Sequence, residues 1–560
     1  MVIHCPIVSD VDPAIATLEI DSTVTLDQII EKFSKSDQDL FLIEKELQLH
    51  QPYLDEIIDF PHSQSALLTA VVNNPDEKNI FIKNKLVRSI KTSAHSSPAA
   101  NRVFMGAIRL SQRQRIEIIA ALDLGRRYIL ENSNYKSIEL LDLIVLFLVR
   151  SAIKITPVSI GKDQWYNPKR HQNTTFKPET AKELKKLKLR LANRSNDGFY
   201  SVLILRRLSK PITALSIRFG ISPNTITFIS LLIGFYSAYL FTQESYILGA
   251  LFFQLSLIVD CSDGEVARYT RKFSNFGRWF DASTDRIKEY LVYGALAYSA
   301  TDGSNQFWIL AIALMALQTF RHLSDYTFTV FSSAYEGGLQ KIDINQSDDG
   351  FTSPNWHGES EIKYWIKKIL NFPIGERWLA ISILAAFGGG ELLFPVMIGI
   401  GLISLSYAWL TRIRRTLLWR SKSLPKVESS VVLYQQDLIL VRRRFGGSFE
   451  WMLPSILRIT EISLLSWLLL LVSPTVEGAH LFFIIFGIVY HHYDGLYRSL
   501  QNQNFPLWLS ALGLRVEGRL IIFTTAIALS LPTMAILLYS LILYIFVASI
   551  QWFNQIRPSR

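Results

Sequence analysis

The sequence predicts a helical, multi-pass membrane protein that carries a soluble α/β domain at its N-terminus. Three observations support this fold class. The chain of 560 residues is 49% hydrophobic with a mean hydropathy of +0.21. Almost all of its long apolar runs follow residue 220, whereas residues 1–200 are charged and mix helical with strand-like patterns. The loops between the apolar runs also differ in charge from one side to the other. The length is enough for two or three domains.

Residues 1–160 predict the α/β domain. Strand-like segments such as LFLIEKELQLH alternate with helical ones such as LDQIIEKF, a mixture typical of α/β proteins. The run LLDLIVLFLV is too short to span a bilayer and predicts a buried helix. Residues 161–199 follow as a polar linker that ends in a basic helix, AKELKKLKLRLANR.

The segment VLILRRLSKPITALSIRFG mixes apolar and basic residues, as a helix at a membrane surface does. A solvated charged helix is the alternative for this segment and for the basic helix before it. Ten candidate membrane spans follow, some of them shorter than the roughly 20 residues that an upright helix needs. The fifth and sixth adjoin and must form a tight hairpin. The spans lie at residues 224–242, 246–262, 278–300, 306–331, 378–392, 393–411, 454–473, 479–492, 517–531 and 533–552.

The loops predict the orientation of these spans. One set (TQES, TDGSN, GGGE and SPTVEGA) contains no Lys or Arg, whereas the alternate loops are rich in both. The positive-inside rule therefore places the second set and both termini in the cytoplasm, with the protein in the cell membrane. Within the loop at 332–376, the segment SEIKYWIKKIL predicts a further amphipathic helix on the membrane surface.

Composition excludes several classes of protein. A net charge of +10 is compatible with nucleic acid or with an anionic membrane. Because the basic residues flank apolar spans, the charge favours the membrane, and no nucleic-acid partner is expected. The two cysteines, Cys5 and Cys261, are far apart and predict neither a disulfide framework nor a zinc site. The N-terminus lacks the pattern of a signal peptide.

The segment VDCSDGEVARYTRKFSNFGRWFDASTDR concentrates acidic residues directly after an apolar run. Asp260 and Asp263 share one helical face, as do Asp281 and Asp285, and a chain reversal near Gly277 brings the two pairs together. Four bare carboxylates would repel one another. Divalent cations such as magnesium, manganese or calcium would neutralise them. Magnesium also keeps positions open for phosphate oxygens, which indicates a phosphorylated substrate.

Small and basic residues in the same segment fit that interpretation. Gly264 and Gly277 remove side chains where helices, or a helix and a nucleotide, must approach closely. Ala267 is small and lies one turn after Asp263. Arg268 supplies a charge for phosphate or an ion pair for one of the aspartates.

This segment resembles the signature of the CDP-alcohol phosphatidyltransferase family. The family pattern runs Asp, two residues, Asp-Gly, two residues, Ala-Arg, eight residues, Gly, three residues, Asp, three residues, Asp. The sequence satisfies every fixed position, with Asp260, Asp263, Gly264, Ala267, Arg268, Gly277, Asp281 and Asp285.

The resemblance implies a six-helix membrane core at residues 200–415 and two bound Mg²⁺ or Mn²⁺ ions. It implies that the acceptor hydroxyl attacks the β-phosphorus of a CDP-alcohol and that CMP leaves. By position, Asp285 is the general base and also contacts a metal. The metal ligands would be Asp260, Asp263, Asp281 and Asp285, and the residues along the nucleotide would be Gly264, Ala267, Arg268 and Gly277.

Two further pairs are candidates for substrate binding. Asn224 and Thr227 face one side of the first span and could meet the nucleotide, or they are a helix cap and a back-bonded threonine. Arg321 and His322 in the fourth span could hold the acceptor's phosphate or a lipid head group. Snorkelling towards the interface is the alternative for this second pair.

As a whole, the chain resembles larger bacterial members of the family that carry a nucleotidyltransferase-like front domain and an extra membrane region. Residues 1–30 contain no glycine, so no loop is available to close on a triphosphate, and the front domain is predicted to be inactive. Residues 416–560 form the extra region of about four spans. Its His491, His492 and Asp494 predict a charge network for packing in preference to a metal site.

The predicted function is metal-dependent transfer of a substituted phosphate from CDP-diacylglycerol to an alcohol acceptor in phospholipid biosynthesis. The predicted partners are the CDP-alcohol donor, the alcohol acceptor and membrane lipid, and a homodimer stays open. One alternative uses a polar CDP-alcohol and makes a soluble phosphodiester. A prenyltransferase would carry Asp-Asp-x-x-Asp motifs, which the membrane part lacks. A cation transporter would hold its acids near the midplane, and an inactive scaffold would not keep buried acids.

Overall fold

The computed structural model describes the chain between residues 15 and 554 with internal gaps. The gaps are residues 59–64, 73, 84–85, 98, 161–164, 171–179, 193–197, 302–304, 336–368, 421–448, 473–476, 501–505 and 530. The chain divides into two compact units, the first mainly residues 1–191 and the second mainly residues 192–560. Most of the amphipathic helix predicted within the loop at 332–376, and the first fourteen residues, lie outside the described residues.

The first unit is an α/β domain, as the sequence predicts. Its strands are β1 Ile15–Ile20, β2 Asp39–Glu44, β3 Gln48–Leu49, β4 Ser65–Ala70, β5 Ile80–Lys83, β6 Leu86–Ile90, β7 Val103–Leu110, β8 Ile155–Ile160 and β9 Trp165–Tyr166. Its helices are α1 Leu26–Lys35, α2 Gln51–Ile58, α3 Arg115–Glu131, α4 Leu140–Arg150 and α5 Ala181–Leu191. Helix α4 is the buried helix predicted from LLDLIVLFLV, and α5 is the predicted basic helix.

The main sheet has five strands in the order β1-β2-β7-β4-β8. Strand β7 runs antiparallel to both of its neighbours, and the other two pairings are parallel. Apolar clusters cover both faces, one involving α1, α3 and α4 and the other involving α2 and α5. Burial on both faces explains why β2, β4 and β7 are buried at every residue and read as nearly continuous apolar runs.

A buried ionic network ties the segment after β9 to the sheet. Arg170 donates to Glu44 at 2.5 Å and to Asp142 at 2.7 Å, and Asn167 donates to Glu44 at 2.5 Å. Gly106 has φ +96, and a Cβ there would lie 2.3 Å from the Glu44 carboxylate. Only glycine therefore suits this position of β7.

Burial and the arginine act in opposite directions on the two carboxyls of this network. Burial raises the pKa of Asp142, and the attraction of Arg170 does not offset it. Burial would also raise the pKa of Glu44, but the hydrogen bonds and charge of Arg170 outweigh it, so that this pKa is lowered. Arg170 therefore outweighs burial at Glu44 but not at Asp142.

The second unit is a helical bundle that enters the membrane. Its helices are α6 Arg206–Arg218, α7 Pro223–Thr242, α8 Tyr246–Thr270, α9 Asn275–Ala300, α10 Gln306–Tyr335, α11 Ile374–Arg420, α12 Leu453–Val472, α13 Gly478–Leu500, α14 Leu507–Leu512, α15 Arg515–Ala528, α16 Thr533–Ser540 and α17 Ala548–Asn554. π-Helical turns precede α6 and join α16 to α17.

Six helical stretches within the described residues are long and apolar enough to cross a membrane, which confirms the predicted class. They are Pro223–Thr242, Tyr246–Thr270, Gln306–Thr329, Ile374–Leu417, Leu453–Val472 and Thr533–Phe553. They cover seven of the ten predicted spans, because the fourth stretch contains two. The other three predicted spans correspond to α9, α13 and α15, which are helices but do not meet these criteria.

Helix α11 is broken at Gly388 and Gly389. Gly388 has φ −153 and ψ 16, and Gly389 has φ 53 and ψ −149, a conformation open mainly to glycine. A straight helix of 47 residues would be about 70 Å long, more than twice the thickness of a bilayer core. The break therefore divides α11 into two spans.

The two halves of α11 run in opposite directions. The first half runs in the same direction as α9, since Arg377 pairs with Glu289 and a Cβ on Gly390 would meet the carbonyl of Leu296. The second half runs in the same direction as α10, since Gly401 lies beside Leu317 and, further along, Arg412 pairs with Asp325. Because α9 and α10 are antiparallel, the halves form the tight hairpin predicted for 378–411. Together with α7 to α10 they make six helices.

Helix α6 has a polar side towards the protein and an apolar side outwards. Ser209 and Thr213 donate to the fully buried carboxylate of Glu265 in α8, at 2.8 and 2.5 Å. Leu215 and Phe219 on the other side are 54% and 67% exposed. This arrangement is typical of a helix at a membrane surface.

We predict that Arg170→Met destabilises the first unit by about 3–5 kcal/mol, because it leaves two buried carboxylates without their cation. Amide hydrogen exchange in β2 and β7 of the full chain would measure the change. Arg126→Met is the matched control, since Arg126 pairs with Asp27 at 3.3 Å on the surface, and such a pair contributes about 1 kcal/mol or less. Equal effects of the two substitutions would contradict the prediction.

Candidate active site

The acidic residues lie where α8 ends and α9 begins. Helix α8 ends at Arg271, which adopts the left-handed conformation with φ 55, and Ser274 caps α9 by accepting from the amide of Gly277 at 2.9 Å. Two helix ends are thus joined by a very short connection. Helix α7 packs against both α8 and α9.

Three of the four aspartates come together. One carboxylate oxygen from each of Asp260, Asp281 and Asp285 lies within 4.8 Å of the other two. Asp263 is outside this triplet: its carboxylate accepts a hydrogen bond from the Thr227 hydroxyl on α7. Asp260, Asp263 and Asp285 are buried, whereas Asp281 is half-buried. The triplet therefore joins α8 and α9, with Asp263 held one turn away.

Lys288 occupies the inner side of the triplet. Its ammonium lies 2.6 Å from Asp260 and 3.0 Å from Asp285, and it donates to the Ser230 hydroxyl at 2.9 Å. It is fully buried, 5.1 Å from the centre of the Trp378 ring. Lys288 was not among the residues predicted from the sequence. Its spacing could have indicated it, because Lys288 follows Asp285 by three residues and so shares its helical face.

The donor set suits a hard divalent cation. Every candidate ligand atom in the triplet is a carboxylate oxygen, the type that Mg²⁺ and Mn²⁺ prefer. Together, the four aspartates and Lys288 carry a formal charge of −3. The residues present therefore fit a metal site held by Asp260, Asp281 and Asp285.

The residues predicted to lie along the nucleotide surround the same helix ends. A Cβ on Gly264 would lie 3.1 Å from a guanidinium nitrogen of Arg268, so the glycine leaves room for this side chain. Arg268 donates to the carbonyl of Ala192 at 2.5 Å. The carbonyl of Ala267, which is half-buried, accepts from the amide of Arg271 at the end of α8.

The predicted pair on α7 meets this region at its edge. A Cβ on Gly277 would lie 2.9 Å from the side-chain oxygen of Asn224, so the starts of α7 and α9 are in close approach. The cap of α7 is Ser222, which accepts from the amide of Thr225; Asn224 is therefore not the cap. Thr227 lies 3.2 Å from the carbonyl of Pro223 and also bonds Asp263, so it is both back-bonded and part of the acidic cluster.

The pair on α10 has protein partners. Arg321 donates to the carbonyls of Phe372, at 3.0 Å, and of the preceding residue, at the start of the α11 hairpin. The ring nitrogens of His322 lie 2.6 Å from the Gln318 amide nitrogen and 2.8 Å from the hydroxyl of Tyr493. Both residues thus connect α10 to neighbouring elements.

Positive charge gathers around His322. The guanidinium groups of Arg286, Arg321 and Arg377 all act on it. Glu289 binds Arg377 at 2.8 Å and lies 3.8 Å from Arg286. The Glu289 carboxylate and three guanidinium groups therefore lie close together in this part of the bundle.

The histidines of the C-terminal region do not converge with Asp494. His492 lies 2.9 Å from Glu461, His491 stacks near Tyr544, and Asp494 accepts from Arg498 at 2.9 Å. Their different partners are those of a packing network between helices.

Comparisons with known proteins agree with the signature. Residues 220–342 match the family model described as CDP-alcohol phosphatidyltransferase. Residues 408–558 match a family of unknown function, DUF5941. The nucleotidyltransferase-like interpretation of residues 1–160 stays a prediction.

Three relatives each match part of this chain. A protein of Archaeoglobus fulgidus named bifunctional IPC transferase and DIPP synthase is 33% identical over 139 residues, 24% of this chain and 28% of the relative. Archaetidylinositol phosphate synthase of Pyrococcus horikoshii is 32% identical over 17% of this chain and 47% of the relative. Phosphatidylinositol phosphate synthase of Streptomyces avermitilis is 25% identical over 21% and 49%. The chain thus spans less than half the length of each relative.

We predict that Lys288→Met lowers the stability of the metal-free protein by about 3–5 kcal/mol, because two buried carboxylates lose their cation. Saturating Mg²⁺ should restore most of the loss, since an ion among the same oxygens replaces the missing charge. Melting temperatures in detergent, with and without Mg²⁺, would measure this. Arg412→Met is the control, because its buried pair with Asp325 lies outside the triplet and its loss should not depend on Mg²⁺. A Lys288→Met loss that Mg²⁺ leaves unchanged would contradict the prediction.

Proposed function

We propose that the chain transfers a substituted phosphate from a CDP-alcohol to an alcohol acceptor, since residues 220–342 match the family model described as CDP-alcohol phosphatidyltransferase. The observation that carries the proposal is the triplet of Asp260, Asp281 and Asp285, whose oxygens lie within 4.8 Å of one another at the meeting point of two helices. An acidic cluster of this kind suits a metal-bound pyrophosphate.

Each aspartate has a role in this proposal. Asp260, Asp281 and Asp285 would hold the divalent ion, with Asp263 completing the ligand set or supporting a second ion from its position beside Thr227. A bound Mg²⁺ or Mn²⁺ would neutralise the charge that develops on the departing phosphate. Lys288 holds one carboxylate oxygen of Asp260 and one of Asp285.

Asp285 would act as the general base. It accepts the proton of the acceptor hydroxyl while that oxygen forms a bond to the β-phosphorus of the donor. The bond between the β-phosphorus and the bridging oxygen breaks, and CMP leaves with that oxygen and its electron pair. Gly264, Ala267, Arg268, Gly277 and Asn224 would lie along the cytidine nucleotide, with Thr227 beside Asp263.

The surroundings of the site favour a lipid donor such as CDP-diacylglycerol. Helices α7 and α8, which frame the site, carry large apolar side chains on their outer surface, among them Phe228, Leu232 and Leu251, which are 50%, 48% and 61% exposed. Such a surface suits acyl chains. We further propose that the site opens to the cytoplasm from the cell membrane, because Arg268, Arg271 and Lys272 lie beside it at the end of α8. A homodimer stays a prediction.

The acceptor in this proposal carries a phosphate of its own. The names of two relatives refer to inositol phosphate lipids. The three guanidinium groups of Arg286, Arg321 and Arg377, which gather near His322, support an anionic acceptor. Inositol phosphate combines a phosphate with the hydroxyl groups that the reaction requires.

Release of CMP would test the transfer. We predict that the purified protein releases CMP from CDP-diacylglycerol and inositol phosphate with Mg²⁺, and that a chelator stops the reaction reversibly. Asp285→Asn should lower kcat by about 100-fold or more, because it removes the proton acceptor. Glu391→Gln, an exposed acid beyond the break in α11, is the control and should keep full activity. Full turnover by Asp285→Asn, or turnover that ignores the chelator, would refute the assignment.

The proposed acceptor site makes a separate prediction. Arg321→Met should raise KM for inositol phosphate by about 10- to 100-fold, the equivalent of one lost hydrogen bond to a charged group. KM for the CDP-alcohol should stay the same. Unphosphorylated inositol serves as the matched substrate, because its slower turnover should not change with this substitution. An equal effect on both acceptors would assign Arg321 to packing alone.

A further inference from the structure

We propose that the C-terminal helices α13 and α17 position α9, and that Asp494 is the residue through which they do so. The region matched by a family of unknown function would then support the metal-binding end of α9. The measurement of Mn²⁺ affinity that tests this inference rests on the proposed function. The measurement of amide exchange in α9 does not.

Helix α9 carries two sets of residues with helical spacing. Asp281, Asp285 and Lys288 form the acidic site with α8. A second set contacts the C-terminal region and repeats every three or four residues, so it forms a different face of the same helix. This second set consists of Trp279, Ser283, Arg286, Tyr290 and Gly294.

Asp494 on α13 is hydrogen-bonded to the start of α9. One of its oxygens accepts from the indole N–H of Trp279 at 3.2 Å and from that of Trp552, on α17, at 2.5 Å. The other accepts from Arg498 at 2.9 Å. The two indole rings stack with their centres 5.1 Å apart. Trp279 precedes Asp281 by two residues, so this contact fixes α9 within one turn of the acidic site.

A second contact holds α9 about three turns further along, at Tyr290. The Tyr493 hydroxyl lies 3.3 Å from that of Tyr290 and 2.8 Å from a ring nitrogen of His322 on α10. The guanidinium of Arg286 lies 5.5 Å from the centre of the Tyr493 ring. Further along, a Cβ on Gly294 would lie 2.9 Å from Phe482. Helix α13 therefore packs along α9 over about four turns, from Trp279 to Gly294.

The rotation of α9 about its own axis matters for metal binding. A carboxylate oxygen lies roughly 6 Å from the axis of its helix, so a rotation of about 20° moves it by about 2 Å. Mg²⁺ requires oxygens at about 2.0–2.1 Å in nearly octahedral geometry. Repulsion among Asp260, Asp281 and Asp285 favours such a rotation when no ion is bound. The contacts at Trp279 and Tyr290 oppose this rotation of α9.

A second buried network in the same region provides the matched control. Glu461 on α12 accepts from Arg519 on α15 at 2.7 Å and lies 2.9 Å from His492 on α13. It is as buried as Asp494, at 1% exposure each. These partners join the C-terminal helices to one another, and none of them is on α9.

The test compares Asp494→Asn and Trp552→Phe with Glu461→Gln in the full chain. Mn²⁺ affinity, from the paramagnetic resonance of free Mn²⁺, and amide exchange over residues 276–289 are measured for each. We expect Asp494→Asn and Trp552→Phe to weaken Mn²⁺ binding about tenfold, within the range for residues that orient metal ligands. Exchange over 276–289 should rise in the metal-free protein. Glu461→Gln should lower the melting temperature and leave both readouts unchanged.

Two results would overturn the inference. One is unchanged Mn²⁺ affinity and unchanged exchange in both Asp494→Asn and Trp552→Phe. The other is an equal loss of Mn²⁺ affinity in Glu461→Gln, which would reveal general loosening of the region. Trp552→Phe keeps the stacked ring and removes only the N–H, so it keeps the test decisive if Asp494→Asn fails to fold. Mn²⁺ binding without any CMP release would contradict the proposed function and leave the positioning role intact.

Discussion

Repulsion among carboxylates in a medium of low polarity is the constraint on which the rest of the second unit depends. Asp260, Asp281 and Asp285 converge where water is scarce, and each unneutralised charge there is costly. The ammonium of Lys288 offsets part of this charge, because it contacts Asp260 of α8 and Asp285 of α9. A single ammonium does not balance four aspartates. In the proposed function, the remaining negative charge is what a hard divalent cation would balance.

The same pairing rule organises the bundle away from the site. Several buried acids bind cations supplied by a different helix, and each such pair fixes two helices relative to each other. Glu265 of α8 pairs with Arg206, the first residue of α6. Glu289 joins α9 to α11 through Arg377, and Asp325 joins α10 to α11 through Arg412. Buried pairs of this kind contribute little to net stability, but removing one partner is strongly destabilising. They therefore specify the arrangement of helices, while apolar packing drives their association.

The sequence predicted what depends on local spacing and missed what depends on contacts between distant segments. Helical periodicity placed Asp260 and Asp285 near each other, and adjoining apolar runs required the hairpin that Gly389 makes. The α/β domain followed from alternating patterns, although its antiparallel central strand did not. Lys288 carried a local signal, its spacing from Asp285, but its partners Ser230 and Asp260 lie on other helices. The contact of Asp494 with Trp279 spans more than two hundred residues, and no local pattern encodes such a pairing. The separation of Asp263 from the triplet depends on Thr227, a residue whose two hydrogen-bonding roles the spacing could not distinguish.

Helix α9 shows why the core and the C-terminal helices belong to one folding unit. It carries Asp281, Asp285, Arg286, Lys288 and Glu289 within nine residues, too many charges for a helix that stands alone in lipid. Its charges are satisfied by side chains of α8, by Arg377 of α11 and by the ring of Tyr493 on α13. A helix that needs partners on all of these sides becomes stable only when they are assembled around it. The extra helices therefore stabilise in the membrane the helix that carries two of the proposed metal ligands, and a highly charged helix becomes compatible with a lipid environment.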